Sequence, residues 1–246
     1  MALDIRRDKF IITASINRPE TLNAINFEVM SRLETILDDV EADTDIRLFV
    51  LTGTGKSFIS GGDLREFHKI SSAEGARKMS ERMITILQRI SSLPCWTLAA
   101  INGHAYGGGW ETLLHFDFRV AKETARFGFT QGKFYLPPGW GGITSLTETV
   151  GRDKALYWLA SQKIISAQTA FESGLIQEVF TSESYDDKLS ELQNKLLLND
   201  RTFIEYVKNT NRKSVADEIE PFSRFWENRE HLERVNDFLE RKKADG

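Results

Sequence analysis

LAAINGHAYGGGWE, residues 98–111, runs an apolar segment into three glycines, a tryptophan and a carboxylate. The apolar part reads as a buried strand and WETLLHF, from Trp110, as a helix. Gly107, Gly108 and Gly109 therefore fall at a strand-to-helix turn. Backbone N–H groups at a helix N-terminus point outward without partners, and the helix dipole there favours negative charge. A second stretch repeats the form: Ser60-Gly61-Gly62-Asp63 precedes the helical DLREFHKI, with Asp63 as its N-cap. Two such turns brought together would offer two N–H donors to one oxygen, the arrangement of an oxyanion hole.

Around these turns the pattern is α/β. FIITASI (10–16) reads as a strand, and a turn at Arg18-Pro19-Glu20 leads to a helix. That helix carries Phe27, Met30, Leu33, Ile36, Leu37 and Val40 at helical spacing. Leu48–Leu51 is a short strand. Ser71 and Glu74 have the spacing of a capping box, opening a helix through Met79, Met83, Ile86, Leu87 and Ile90. After about Phe180 only helices are expected, over 185–199, 201–215 and 221–243. The chain divides into an α/β core, 1–190, and a helical region, 191–246. The last helix has a thin apolar stripe through Leu232, Val235, Phe238 and Leu239, suited to packing on another subunit.

The 246 residues include 41% hydrophobic and 28% charged residues, enough for a sizeable core under a soluble surface. A formal charge of −4 gives no global reason for binding nucleic acid or anionic membrane. No apolar run approaches the ~18 residues of a membrane span, and MALDIRRDKF places charge where a secretory signal is apolar. Cys95 is the single cysteine, which excludes a disulfide framework within the chain and cysteine-based zinc sites. These features suit a cytoplasmic protein. GTGKSF (53–58) suggests a phosphate-binding P-loop, but Val50 stands where that motif requires its first glycine.

Five ordered fragments resemble the crotonase (enoyl-CoA hydratase/isomerase) superfamily. NRPETLNAIN (17–26) matches its N-terminal signature, and GKSFISGGDL (55–64) and LPCWTLAAINGHAYGGGWE (93–111) match its two oxyanion loops. RFGFTQGKFYLPPGWGG (126–142) and ISAQTAFESGLIQEVF (165–180) complete the set, and DFLERKK (237–243) resembles the terminal helix. The resemblance implies the ClpP-like spiral of ββα units with a C-terminal helical oligomerisation region. It also implies acyl-CoA thioester substrates, no permanently bound cofactor or metal, and a homotrimer or dimer of trimers.

Carried over by position, Gly62 and Gly108 are the backbone donors that stabilise an enolate at the thioester oxygen. Leu22, Asn23, Ala24, Ser60, Asp63 and Leu64 match the adenine and pantetheine neighbourhood of CoA. Lys56 matches a basic residue near the CoA phosphates; Phe238 and Lys242 fall on the terminal helix that reaches CoA in the family. Lys56 and Lys242 equally suit solvated surface charges. Glu111 matches the first of two catalytic glutamates. The second is absent: Gln131 occupies its position, and an amide cannot exchange a proton at neutral pH. Gly139 matches a glycine whose backbone positions water in the family. Trp110, Phe134, Tyr135 and Trp140 are expected around the acyl group, making its pocket short or flat; each equally suits core packing. His104 and His115 read as structural.

Three activities follow from the resemblance. A hydratase-type lyase is the family default. Decarboxylation of a small malonyl-CoA-type substrate competes, because losing CO₂ generates the enolate without a base at Cα. Its sequence support is GWGG (139–142), which resembles the turn of ethylmalonyl-CoA decarboxylases. The third is an acyl-CoA-binding member without catalysis, with Gln131 marking the lost chemistry.

Overall fold

A computed structural model describes residues 2–208 and 214–244. The chain forms two compact units, Met1–Arg201 and Thr202–Gly246.

The first unit begins with a hairpin of β1 (Leu3–Asp8) and β2 (Ile11–Ile16). β1 is not evident from sequence, because DIRRD looks too charged for a strand. It lies at the sheet edge, with Leu3 buried and the next five residues exposed. Charge at such an edge discourages pairing with other chains. Helix α1 (Phe27–Ala42) follows, capped by Asn26, whose Oδ1 accepts from the Val29 N–H at 2.9 Å. It buries Val29, Met30, Leu33, Ile36, Leu37 and Val40, each contributing about 1.5–3 kcal/mol of apolar burial.

The chain then repeats one device. β3 (Leu48–Gly53), β5 (Trp96–Ile101) and β7 (Phe118–Lys122) join a six-stranded sheet, while β4 (Ser57–Ile59), β6 (His104–Tyr106) and β8 (Arg126–Gly128) join a four-stranded one. Strand order is β1-β2-β3-β5-β7-β10 in the large sheet and β4-β6-β8-β9 in the small one, with β9 at Ile164–Ser166 and β10 at Glu178–Phe180. All pairings are parallel except β1/β2 and β8/β9. This is the spiral of ββα units.

The helices between strands are α2 (Leu64–Phe67), α3 (Ala73–Ser92), α4 (Gly108–Leu113), α5 (Gly142–Val150), α6 (Arg152–Ala160) and α7 (Ala167–Glu172). Ser72, not Ser71, caps α3, its hydroxyl accepting from the Gly75 N–H at 3.1 Å. The register is one residue later than the sequence suggests, because Ser71 and Ser72 are equivalent in type. Helix α8 (Tyr185–Leu196) packs its apolar side over the large sheet, where Phe180 and Tyr185 meet Leu48, Val50 and Leu98.

Helix α9 (Arg201–Lys208) opens the helix expected over 201–215; residues 209–213 of that expectation lie outside the described residues. In the second unit, Phe225 packs against Phe203 and Tyr206, with ring centroids 5.7 and 5.4 Å apart. The single helix expected over 221–243 is two, α10 (Ile219–Trp226) and α11 (Arg229–Ala244). Asn228 causes the break: its Oδ1 accepts from the Glu230 N–H at 2.9 Å and starts a new helix. Phe222, Trp226, Leu232, Val235, Phe238 and Leu239 are exposed.

Candidate active site

The glycine run lies where β6 of the small sheet turns into α4. Two of its positions exclude any side chain. A Cβ on Gly109 would stand 2.0 Å from the Ile59 carbonyl oxygen of β4, and one on Gly108 would stand 2.0 Å from the Trp140 ring. α4 can therefore pack hard against β4. As the first residue of α4, Gly108 has an N–H that precedes the helical ladder.

The second glycine turn is alongside: a Cβ on Gly61 would lie 3.3 Å from the Gly108 nitrogen. Gly62 pairs with Ile25 in a short parallel bridge. That bridge uses the Gly61 carbonyl, accepting from Ile25 at 2.8 Å, and the Asp63 N–H, donating to Ile25 at 2.7 Å. The Gly62 N–H is not committed to it. Thus both glycine turns occupy one place, with the Trp140 indole against Gly108 and 3.6 Å from a Cβ position on Gly62. Phe67 covers the other side of Gly62, 2.7 Å from that position.

The segment expected near CoA is tightly knotted to the Gly62 turn. Leu22 and Asn23 adopt left-handed backbone, φ 53° and 59°. Asn23 is fully buried; its amide donates to the carbonyls of Thr54 and Ser57 at 2.8 and 2.7 Å, and its Oδ1 accepts from Arg18 N–H at 3.0 Å. Its side chain is therefore a brace. Ser60 donates to Leu22 and Thr21 carbonyls at 3.2 and 3.1 Å. Asp63 caps α2 through Arg65 N–H and pairs with Arg18 at 2.8 Å, while Arg18 also donates to the Ala24 carbonyl at 2.6 Å. Burial works against the Asp63 charge, but the Arg18 hydrogen bond and charge prevail and hold its carboxyl below the usual value. Arg18 is a residue that sequence reading missed, although it lies within the matched NRPETLNAIN. Leu64 is 53% exposed and Lys56 is exposed. In the second unit, the Lys242 ammonium lies 5.1 Å from the Phe238 ring centroid.

Glu111, on α4, is 3% exposed. Its Oε2 accepts from the backbone N–H groups of Trp140 at 2.8 Å and Gly142 at 3.0 Å. Its Oε1 accepts from the Gln131 side-chain amide at 2.9 Å. Burial raises its pKa, opposed by the donors at Trp140, Gln131, Gly142 and Gly139. Gly142 is also the first residue of α5, so the dipole of that helix reinforces the anion. The sequence gives no sign that Gly142 belongs to this cradle. Its role lies in empty space: a Cβ there would meet Glu111 Cγ and the Trp110 ring, each at 2.6 Å. The Ser80 hydroxyl of α3 donates to the Gly139 carbonyl and pins the turn from outside.

The four aromatics separate. Trp140 is 5% exposed and covers the glycine turns. Trp110 is fully buried in the core against Phe129, ring centroids 4.9 Å apart, and its indole N–H donates to Gln131 Oε1 at 3.1 Å. Phe134 and Tyr135 are exposed, at 59% and 98%. Phe134 ends a 3₁₀ turn at Gln131–Phe134, and Tyr135 follows it in left-handed backbone. His104 stacks on Tyr106 with centroids 5.4 Å apart.

A spiral α/β fold that sets two glycine turns against one buried carboxylate defines a class. Residues 6–245 match the family model described as enoyl-CoA hydratase/isomerase, and the chain belongs to that family. It is 28% identical over 251 residues to a short-chain-enoyl-CoA hydratase of Clostridium acetobutylicum, covering 98% of this chain and 96% of that one. A probable enoyl-CoA hydratase of Mycobacterium tuberculosis is 30% identical over 76% of this chain and 70% of its own. The solved enoyl-CoA hydratase of Mycobacterium smegmatis has a TM-score of 0.91 at 26% identity, covering 98% and 97% of the two chains. That of Bacillus anthracis has 0.87 at 28% identity, again covering 98% and 97%. The protein is thus an enzyme of the crotonase superfamily acting on an acyl-CoA. Among the described residues, no helix is long and apolar enough to cross a membrane.

Proposed function

We propose that this enzyme hydrates short 2-enoyl-CoA thioesters with Glu111 as its single proton-handling group. One observation carries the reading: both Glu111 oxygens receive donors, which arrange the buried carboxyl as a proton acceptor and oppose the rise that burial causes. Water held at Glu111 gives up a proton to the carboxylate as its oxygen adds to Cβ. The electron pair of the double bond moves onto the thioester oxygen, where the Gly62 and Gly108 N–H groups stabilise the enolate. Glu111 then returns the proton to Cα, and the net change is addition of H₂O. Gly139, beside the carboxylate, is suited to orienting that water.

CoA is expected along Leu22–Ala24 and Ser60–Leu64, with Lys56 toward its phosphates. Phe238 and Lys242 suit CoA contacts in a homotrimer or dimer of trimers. The enzyme needs no permanent cofactor for this chemistry, and a cytoplasmic setting fits. Trp140 over the glycine turns favours a short acyl group.

The test is crotonyl-CoA hydration, followed by loss of the conjugated enoyl-thioester absorbance. Wild-type turnover that disappears in Glu111→Gln supports the reading; absence of turnover refutes it. Decarboxylation is the second reading, favoured by the Gln131 amide at the place of a second carboxylate. CO₂ release from methyl- or ethylmalonyl-CoA, without crotonyl-CoA hydration, would establish it instead. Saturable acyl-CoA binding without either turnover would identify a binder.

A further inference from the structure

Gln131 has two possible amide orientations, and one of its two partners selects between them whatever its own protonation state. The indole N–H of Trp110 can donate but never accept. It lies 3.1 Å from Gln131 Oε1, while Gln131 Nε2 lies 2.9 Å from Glu111 Oε1. Turning the amide over would set its N–H₂ against the indole N–H and its carbonyl against the Glu111 carboxylate. Both contacts would then be repulsive.

We propose that Trp110 is a positioning residue: its indole N–H fixes the Gln131 amide so that Glu111 always meets a hydrogen-bond donor there. The chain Trp110–Gln131–Glu111 is one directed set of donors running from the core to the reactive carboxylate. Gln131 is then a working part of a one-carboxylate site. Trp110 suits this task because its ring is fully buried against Phe129, whose own ring centroid lies 4.9 Å from that of Trp158. The other groups facing Glu111 are the backbone N–H donors of Trp140, Gly142 and Gly139. Across the turn lies His115, 3.8 Å from a Cβ position on Gly141, and its burial keeps it toward the neutral form.

The inference rests on Glu111 as the proton-handling group, so its test is read without turnover. Trp110→Phe keeps an aromatic ring at the position, though a smaller one, and deletes the N–H. The Glu111 carboxyl carbon is titrated by ¹³C NMR in the full chain, its resonance identified by loss in Glu111→Gln. With the amide free to turn, Glu111 is expected to titrate about one pH unit higher in Trp110→Phe than in wild type. In a Gln131→Met background, adding Trp110→Phe should give no further change, because Trp110 acts only through the amide. An unchanged titration in Trp110→Phe, or an equal rise in both backgrounds, overturns the proposal. Should Trp110→Phe fail to fold, Gln131→Met alone must still raise the titration by about one pH unit or more; if it does not, the proposal is overturned. Hydration kinetics form a separate arm, so loss of the hydration reading leaves this result interpretable.

Discussion

Substituting Gly142 by alanine adds one methyl group at the most crowded point of the carboxylate cradle. The new Cβ would stand 2.6 Å from Glu111 Cγ, 2.7 Å from its Oε2 and 2.6 Å from the Trp110 ring. Ordinary carbon–carbon contact begins near 3.5 Å, so Glu111 must withdraw by roughly 1 Å. Trp110 cannot yield in its place, being fully buried against Phe129. A displacement of about 1 Å at a reacting group costs on the order of 100-fold in rate, or about 2.7 kcal/mol. Overpacking adds about 1–3 kcal/mol of lost stability. Steady-state hydration of crotonyl-CoA should therefore show kcat reduced about 100-fold, with KM much less altered. Thermal unfolding of the same sample would separate the folded fraction from the catalytic defect. A folded Gly142→Ala enzyme with kcat within twofold of wild type would refute the cradle argument.

Glu111→Gln should lower kcat by about 10²–10⁴, the usual contribution of a general acid–base group, measured in the same assay. Burial raises the Glu111 pKa, so the charged carboxylate costs stability that is intact below the usual 4.5 and lost as pH rises through the elevated value. Melting curves across pH should thus show wild type losing ground to Glu111→Gln over that window, while activity rises with ionisation. Asp63 behaves oppositely: its lowered pKa gives stability present above the usual 3.8 and lost as pH falls through the depressed value. Arg18→Met leaves a buried carboxylate unpaired and should cost about 3 kcal/mol in urea unfolding at neutral pH. Trp140→Ala removes the indole over the glycine turns; comparing kcat/KM for crotonyl-CoA and a longer enoyl-CoA should show preference moving toward the longer chain. An unchanged ratio would mean that Trp140 does not set acyl size.

What was legible in the sequence was whatever depends on periodicity and residue type. The buried face of α1 and the glycine turns belong here, because spacing and the lack of a side chain are themselves the signal. β1 escaped, since its charged side chains belong to an edge where solvation matters more than burial. Glu111 stands out by its place after the glycines, but its donors come from residues 131 and 139–142, which only the fold brings round. Gln131 read as a missing proton carrier; in the structure it is also a hydrogen-bond bridge, and no one-dimensional pattern records which way an amide faces. Phe134 and Tyr135 are expected near the acyl group from their place between Gln131 and Gly139; their exposure in a single chain is a three-dimensional property that no spacing records.

The bridge between Ile25 and Gly62 ties two segments far apart in the chain into one plank, nailed by Arg18, Asn23 and Asp63. A thioester gripped along Leu22–Ala24 would lean on the same plank that carries the Gly62 N–H. Grip and polarisation then share a lever: loosening the hold on the distant nucleotide end would tilt the donor at the reacting carbonyl. Substitutions around Arg18 would be felt as slower chemistry as well as weaker binding, although no atom of that side chain belongs to either glycine turn.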